Sequence, residues 1–145
     1  MIRFLSIIAI VLFYSCSNSQ ECNEVEKRIM DICVKTDSIY SVPLASLTDF
    51  EWDILYVISG PTVDNEAGDN IGRSDYKKII PDNTQQYIFV KDDKVVKEYS
   101  SYCNCSLGEL STSISKNKYL NTSIIQVQKK ESEGQFIYRV EETKD

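Results

Sequence analysis

Phe50-Glu51-Trp52-Asp53-Ile54-Leu55-Tyr56-Val57-Ile58, closed by Ser59-Gly60-Pro61, is the stretch from which the fold is read. Phe50, Trp52, Ile54, Tyr56 and Ile58 recur with the period of two that puts side chains on one face of a β-strand. The opposite face starts polar at Glu51 and Asp53 and becomes apolar at Leu55 and Val57. A strand that dries out on both faces along its length belongs inside a sheet, so this one is predicted to be central and covered on both sides in its later half. Gly60-Pro61 is a breaker and should end it.

Working outward, two further strand pairs are predicted. Residues 87–90 and 95–103 flank Lys91-Asp92-Asp93-Lys94, and residues 123–129 and 135–142 flank Lys130-Glu131-Ser132-Glu133-Gly134. Each has the form of a hairpin with a polar turn. Towards the N-terminus, Asn23 with Glu26 three residues later is a capping-box-like start. Val25, Ile29, Ile32 and Cys33 then follow at helical spacing, which predicts a helix over about residues 24 to 36. Residues 35–46 read as a connection, with Pro43 stopping any helix. Residues 62–86, rich in Asp, Asn and Gly, read as a short helix or loop, and residues 106–120 as carrying a short helix. The expected fold class is therefore α+β, with one N-terminal helix packed on an antiparallel sheet of about five strands, in two layers. Glu98, Gln126, Gln128 and Arg139 are expected on a solvated sheet face.

The first residues describe an address. Arg3 precedes the apolar run Phe4 to Tyr14, which is closed by Ser15 and Cys16. A membrane span needs about 20 apolar residues, whereas this run has the roughly 7 to 15 of a signal-peptide core. Phe13-Tyr14-Ser15-Cys16 resembles the lipobox of bacterial lipoproteins, in which a small residue precedes a cysteine that receives diacylglycerol. Phe13 and Tyr14 depart from the commonest residues of that box. The resemblance implies a signal peptide over 1–15, lipid on Cys16, a tether over 16–22 and one domain over 23–145. Acyl chains contribute about 0.8 kcal/mol for each buried methylene, so several on one residue hold a folded domain to a bilayer.

Five cysteines leave an odd thiol. Lipid on Cys16 removes it, and Cys22, Cys33, Cys103 and Cys105 remain as an even set with three possible connectivities. Cys22 and Cys33, separated by a helix, lie about 16 Å apart, too far for a bridge. Cys103 and Cys105 on one strand would close a very small, strained ring. Two disulfides from the helix region to the 103–105 segment are expected, with their partners left open. A thiolate zinc site or a redox pair is the rival reading, but the single residue between Cys103 and Cys105 is short of the usual spacing.

Composition narrows function by exclusion. A formal net charge of −6, with the lysines scattered among acids, is unsuited to nucleic acid, which needs clustered cations. The chain has no histidine, so it lacks the usual proton shuttle, the commonest metal ligand and any triad of the Ser-His-Asp kind. No cofactor or metal is expected. Asp53 and the loop Asp64-Asn65-Glu66-Ala67-Gly68-Asp69-Asn70 offer carboxylates, the loop with oxygens of the sort calcium takes but without the EF-hand order. For both, a solvated or backbone-bonding role is the plainer reading. Nine tyrosines suit half-buried sheet faces and an amphipathic contact surface.

Phe50, Trp52, Asp53, Tyr56 and Pro61, with Ile71-Gly72 further on, resemble a group of small bacterial lipoproteins. That group has a Phe-x-Trp-Asp strand, a Tyr three residues on, and a Pro-containing turn leading to a helix and a Gly. Thr62 replaces the group's Tyr. The resemblance spans about a quarter of the chain and implies an envelope address without an assigned activity. Taken together, the expectation is an exported, membrane-anchored lipoprotein that binds another protein without catalysis, as an inhibitor or immunity factor does. Rival readings are an envelope enzyme or small-ligand carrier using Asp53 or residues 64–70, and a structural envelope lipoprotein.

Overall fold

The computed structural model describes residues 21–103, 105, 107 and 116–143. Helix α1 (Glu24–Ile32) starts with a complete capping box. The Asn23 side chain accepts from Glu26 N at 3.1 Å, and Glu26 Oε2 accepts from Asn23 N at 2.9 Å. Two orphan donors of the first turn are thereby satisfied. The helix ends at Cys33, short of the expected residue 36, because the chain reverses through Asp37 at φ 61° into a strand.

That strand, β1 (Ile39–Pro43), lies where a connection was expected. It pairs antiparallel with β6 (Ile124–Ser132), which pairs with β7 (Gln135–Glu142), making a three-stranded sheet in the order β1-β6-β7. Pro43 fits because it ends an edge strand, where a missing N–H costs no ladder bond. A 3-10 turn at Leu44–Leu47 leads on to the decisive strand, β2 (Ile54–Ser59). β2 is central: it lies between β3 (Gln85–Lys91) and β5 (Lys116–Leu120), with β4 (Lys94–Ser101) outside β3. Between β2 and β3 runs α2 (Glu66–Ile71).

The architecture corrects the expected α+β fold of one helix on a five-stranded sheet. The molecule is mostly β, with two antiparallel sheets of three and four strands and only short helices. The second hairpin finds its partner in Ile39–Pro43 instead of joining β2. The segment at 116–120, where helix was expected, supplies a strand. One core joins both sheets. Val42, Ile125 and Val127 from the first pack with Leu55, Val57, Tyr87 and Phe89 from the second and with Val25, Ile29 and Cys33 of α1. A smaller cluster, Ile58, Ala67, Ile71, Ile80, Ile88 and Val90, lies on the other face of the larger sheet beneath α2. β2 thus buries both faces, as its sequence requires.

Both hairpin turns are tighter than expected. Asp92 and Asp93 have φ of 47° and 59°, and Glu133 and Gly134 of 51° and 76°. Two successive left-handed residues make the turn whose twist matches antiparallel strands, so β6 continues to Ser132. Gly60 ends β2 at a point where a Cβ would lie 2.0 Å from the Pro81 carbonyl oxygen. Only glycine admits that approach.

Candidate functional site

The residues of the Phe-x-Trp-Asp motif gather around Phe89. Phe50 and Trp52 meet its ring edge-to-face at 5.0 and 5.4 Å, and Tyr99 does so at 6.0 Å. Such pairs add about 0.5 to 1.5 kcal/mol each beyond burial. Trp52 is buried, and its Nε1 donates to Thr48 Oγ1 at 2.9 Å. Asp53 is spent on the backbone. Its Oδ2 accepts from Asp92 N at 2.9 Å, and its own amide donates to Val90 O, so it holds the β3–β4 turn. Tyr56 projects to the opposite face with the smaller cluster, and Pro61 follows Gly60 across a cis peptide bond on the surface. The motif residues are therefore divided between two faces. Beside them, a cleft of about 410 Å³ is lined by Phe50, Glu51, Trp52, Asp53, Lys91 and Asn121, with Glu51 and Lys91 ion-paired across it.

In the acidic loop, Glu66 Oε2 accepts from Val63 N at 3.0 Å and so caps the start of α2. Asp64 and Asn65 border a cleft shared with Lys77 and Lys78, whose ammonium groups oppose a cation there. Asp69 is exposed, and Gly72 ends α2 at φ 72°.

Of the cysteines, Cys22 and Cys103 are joined, with Cα atoms 4.7 Å apart. This is one bridge from the helix region to the 103–105 segment, of the kind expected. Cys33 and Cys105 are buried free thiols. Cys16 lies outside the described residues, as do residues 1–15. Among the described residues no helix is long and apolar enough to cross a membrane.

Sequence reasoning missed the role of Glu26. Its carboxylate is buried, and it accepts from Asn23 N, from Tyr87 Oη at 2.8 Å and from Ser101 Oγ at 2.7 and 2.6 Å. The chain continues outward: Leu107 N donates to Tyr87 Oη, and Cys103 N donates to Ser101 Oγ. Burial pushes the Glu26 pKa up, while Ser101, Asn23 and Tyr87 pull in the other direction. A carboxylate oxygen of Glu26 and the sulfurs of Cys22 and Cys103 lie within 4.8 Å of one another. That trio has metal-ligand chemistry, but with the sulfurs bonded together neither is a thiolate donor. The capping box announced Glu26, while nothing in the local pattern announced that its outer oxygen faces the core.

The second missed feature is the outer face of the three-stranded sheet. Its register places Ile39, Ser41, Ile124, Gln126, Gln128, Ile137, Arg139 and Glu141 on the side away from the core. Ile39, Ile124 and Ile137 are 64%, 45% and 41% exposed. A shallow depression of about 180 Å³ runs between Ile39, Gln126, Gln128 and Arg139. Gln126, Gln128 and Arg139 were expected on a solvated face and lie together here. Glu98 instead stands in the other sheet, paired with Tyr76 and Lys78. That these isoleucines share one sheet face is visible only once residues 39–43 are known to form a strand.

Comparison with protein-family models, with curated proteins and with solved structures yields no match to this chain.

Proposed function

We propose that this protein is an exported lipoprotein, anchored to a membrane through lipid on Cys16, whose folded part binds another protein without catalysis. Inhibition or immunity is the type of role meant. The observation that carries the reading is the outer face of β1-β6-β7, where three exposed isoleucines stand among Gln126, Gln128, Arg139 and Glu141. Exposed branched apolar side chains interspersed with hydrogen-bonding groups on one rigid face are the make-up of a protein contact. The packing of both sheets on one core holds that face rigid, which lowers the entropy lost on binding. The net charge of −6 favours a partner with basic surface and speeds encounter with it. The lipobox-like start and the resemblance to small bacterial lipoproteins support the address.

The test is photo-crosslinking of the full chain in its native cells, with the reactive group at position 39 or 137 and, as control, at exposed Val63 near α2. A discrete adduct from 39 and 137 that is missing from 63 is expected. Identical adducts from all three sites, or none from the sheet face, would refute the reading.

A further inference from the structure

We infer that Cys33 and Cys105 are the two halves of a second, fully buried disulfide that staples the C-terminal end of α1 to the segment following β4. Both are fully buried free thiols in the structure, and both belong to the principal core.

The Cys22–Cys103 bridge sets the geometry. It fixes the 103–105 segment beside the start of α1, with 4.7 Å between Cα atoms. From there the Cys105 amide donates to Cys103 Sγ at 3.5 Å. Glu26, Ile29 and Cys33 fall at i, i+3 and i+7, one buried face of α1, with Glu26 and Cys33 about 10 Å apart along the axis. Two residues of chain span at most about 7 Å, so Cys105 stays near the Cys22–Cys103 bridge, and it shares with Cys33 the core cluster that this face of α1 enters.

Burial first, and then its neighbours Glu26 and Cys33, push the Cys105 thiol up. Tyr138 feels both thiols, and Cys33 in turn feels Lys129. Tyr138 and Lys129 are directly paired across β6 and β7, which puts their Cβ atoms about 5 Å apart. Both thiols lie in the core cluster against which Tyr138 packs. The bridge already formed also removes the competing partners, Cys22 for Cys105 and Cys103 for Cys33.

In closing, each thiol gives up its hydrogen and one S–S bond forms between Cys33 and Cys105. A disulfide oxidant such as glutathione disulfide is reduced to two thiols that take up those hydrogens. Burial holds both thiols protonated in the folded protein. Because the thiolate is the reacting form, closure belongs to folding, before the core excludes the oxidant.

The test is to reduce and unfold the full chain in detergent, refold it in a glutathione redox buffer, quench with acid and measure intact mass and a non-reducing peptide map. Because the oxidant is supplied, the outcome does not depend on where the protein resides. Apart from lipid or glutathione carried by Cys16, the expected product is about 4 Da lighter than the reduced chain, two hydrogens for each bridge, with the Cys33 peptide joined to the Cys105 peptide. The Cys22→Ser, Cys103→Ser variant should still lose about 2 Da under the same treatment, which separates this bridge from the first. Recovery of Cys33 and Cys105 as alkylated thiols after denaturation would overturn the inference. So would a map joining Cys22 to Cys105, or zinc held stoichiometrically by the refolded chain.

Discussion

Glu26 serves two structures with one carboxylate. Oε2 closes the capping box of α1, and Oε1 receives the hydroxyls of Tyr87 and Ser101 from β3 and β4. Its burial raises its pKa above the ordinary 4.5. A carboxyl with a raised folded-state pKa holds its proton more tightly when folded. Its contribution to stability is therefore full below about pH 4.5 and is lost as the pH rises through the folded value. Urea titrations at pH 4.5 and 8 should show Glu26→Gln gaining on the native protein as the pH rises. A difference independent of pH would contradict this. Glu26→Ala, which takes the acceptor from the buried Asn23 amide and Ser101 hydroxyl, should cost about 3 kcal/mol at either pH. At this scale the sequence displayed the helix cap, because its signal is local. The hydroxyl partners lie 61 and 75 residues away and carry no such signal.

Among the elements, those with period-two alternation or a capping box were legible: β2 from Ile54 on with its central place, both hairpins and the start of α1, whereas Phe50 and Trp52 precede the strand and pack on the face opposite Ile54, Tyr56 and Ile58. β1 was not, since five residues ending in Pro43 present only Tyr40 and Val42 as an inward pair and read as a connection. The turn between β3 and β4 offers a test of its own. Asp92 and Asp93 both occupy left-handed backbone, which side-chain-bearing residues adopt at some cost. Asn-Gly is the pair best suited to that turn. The bond from the residue-92 amide to Asp53 uses only backbone on the turn side, so it survives substitution. Asp92→Asn with Asp93→Gly should accordingly stabilise the protein by about 1 kcal/mol, seen as a higher urea midpoint with unchanged slope. A lower midpoint would mean that the aspartate side chains themselves hold the turn.

At the scale of the whole molecule, two sheets share one core, and one covalent link across 81 residues ties the start of α1 to the end of β4. Cross-linking a loop of that length removes enough unfolded-state freedom that Cys22→Ser with Cys103→Ser should cost about 4 kcal/mol, measured by urea unfolding against the native chain. The division into two sheets was illegible because strand periodicity says which residues face a core but not which strands pair. The candidate site suffered most from this, since the exposed isoleucines come from β1, β6 and β7 and are seen to share a face only once that pairing is known. The proposed lipid anchor rests on the sequence around Cys16. The most direct measurement is the intact mass and N-terminal fragmentation of the protein taken from its own cells. The account predicts a chain that begins at Cys16 carrying acyl groups, with residues 1–15 removed. A chain that keeps Met1, or one that begins elsewhere with Cys16 unmodified or missing, would contradict it.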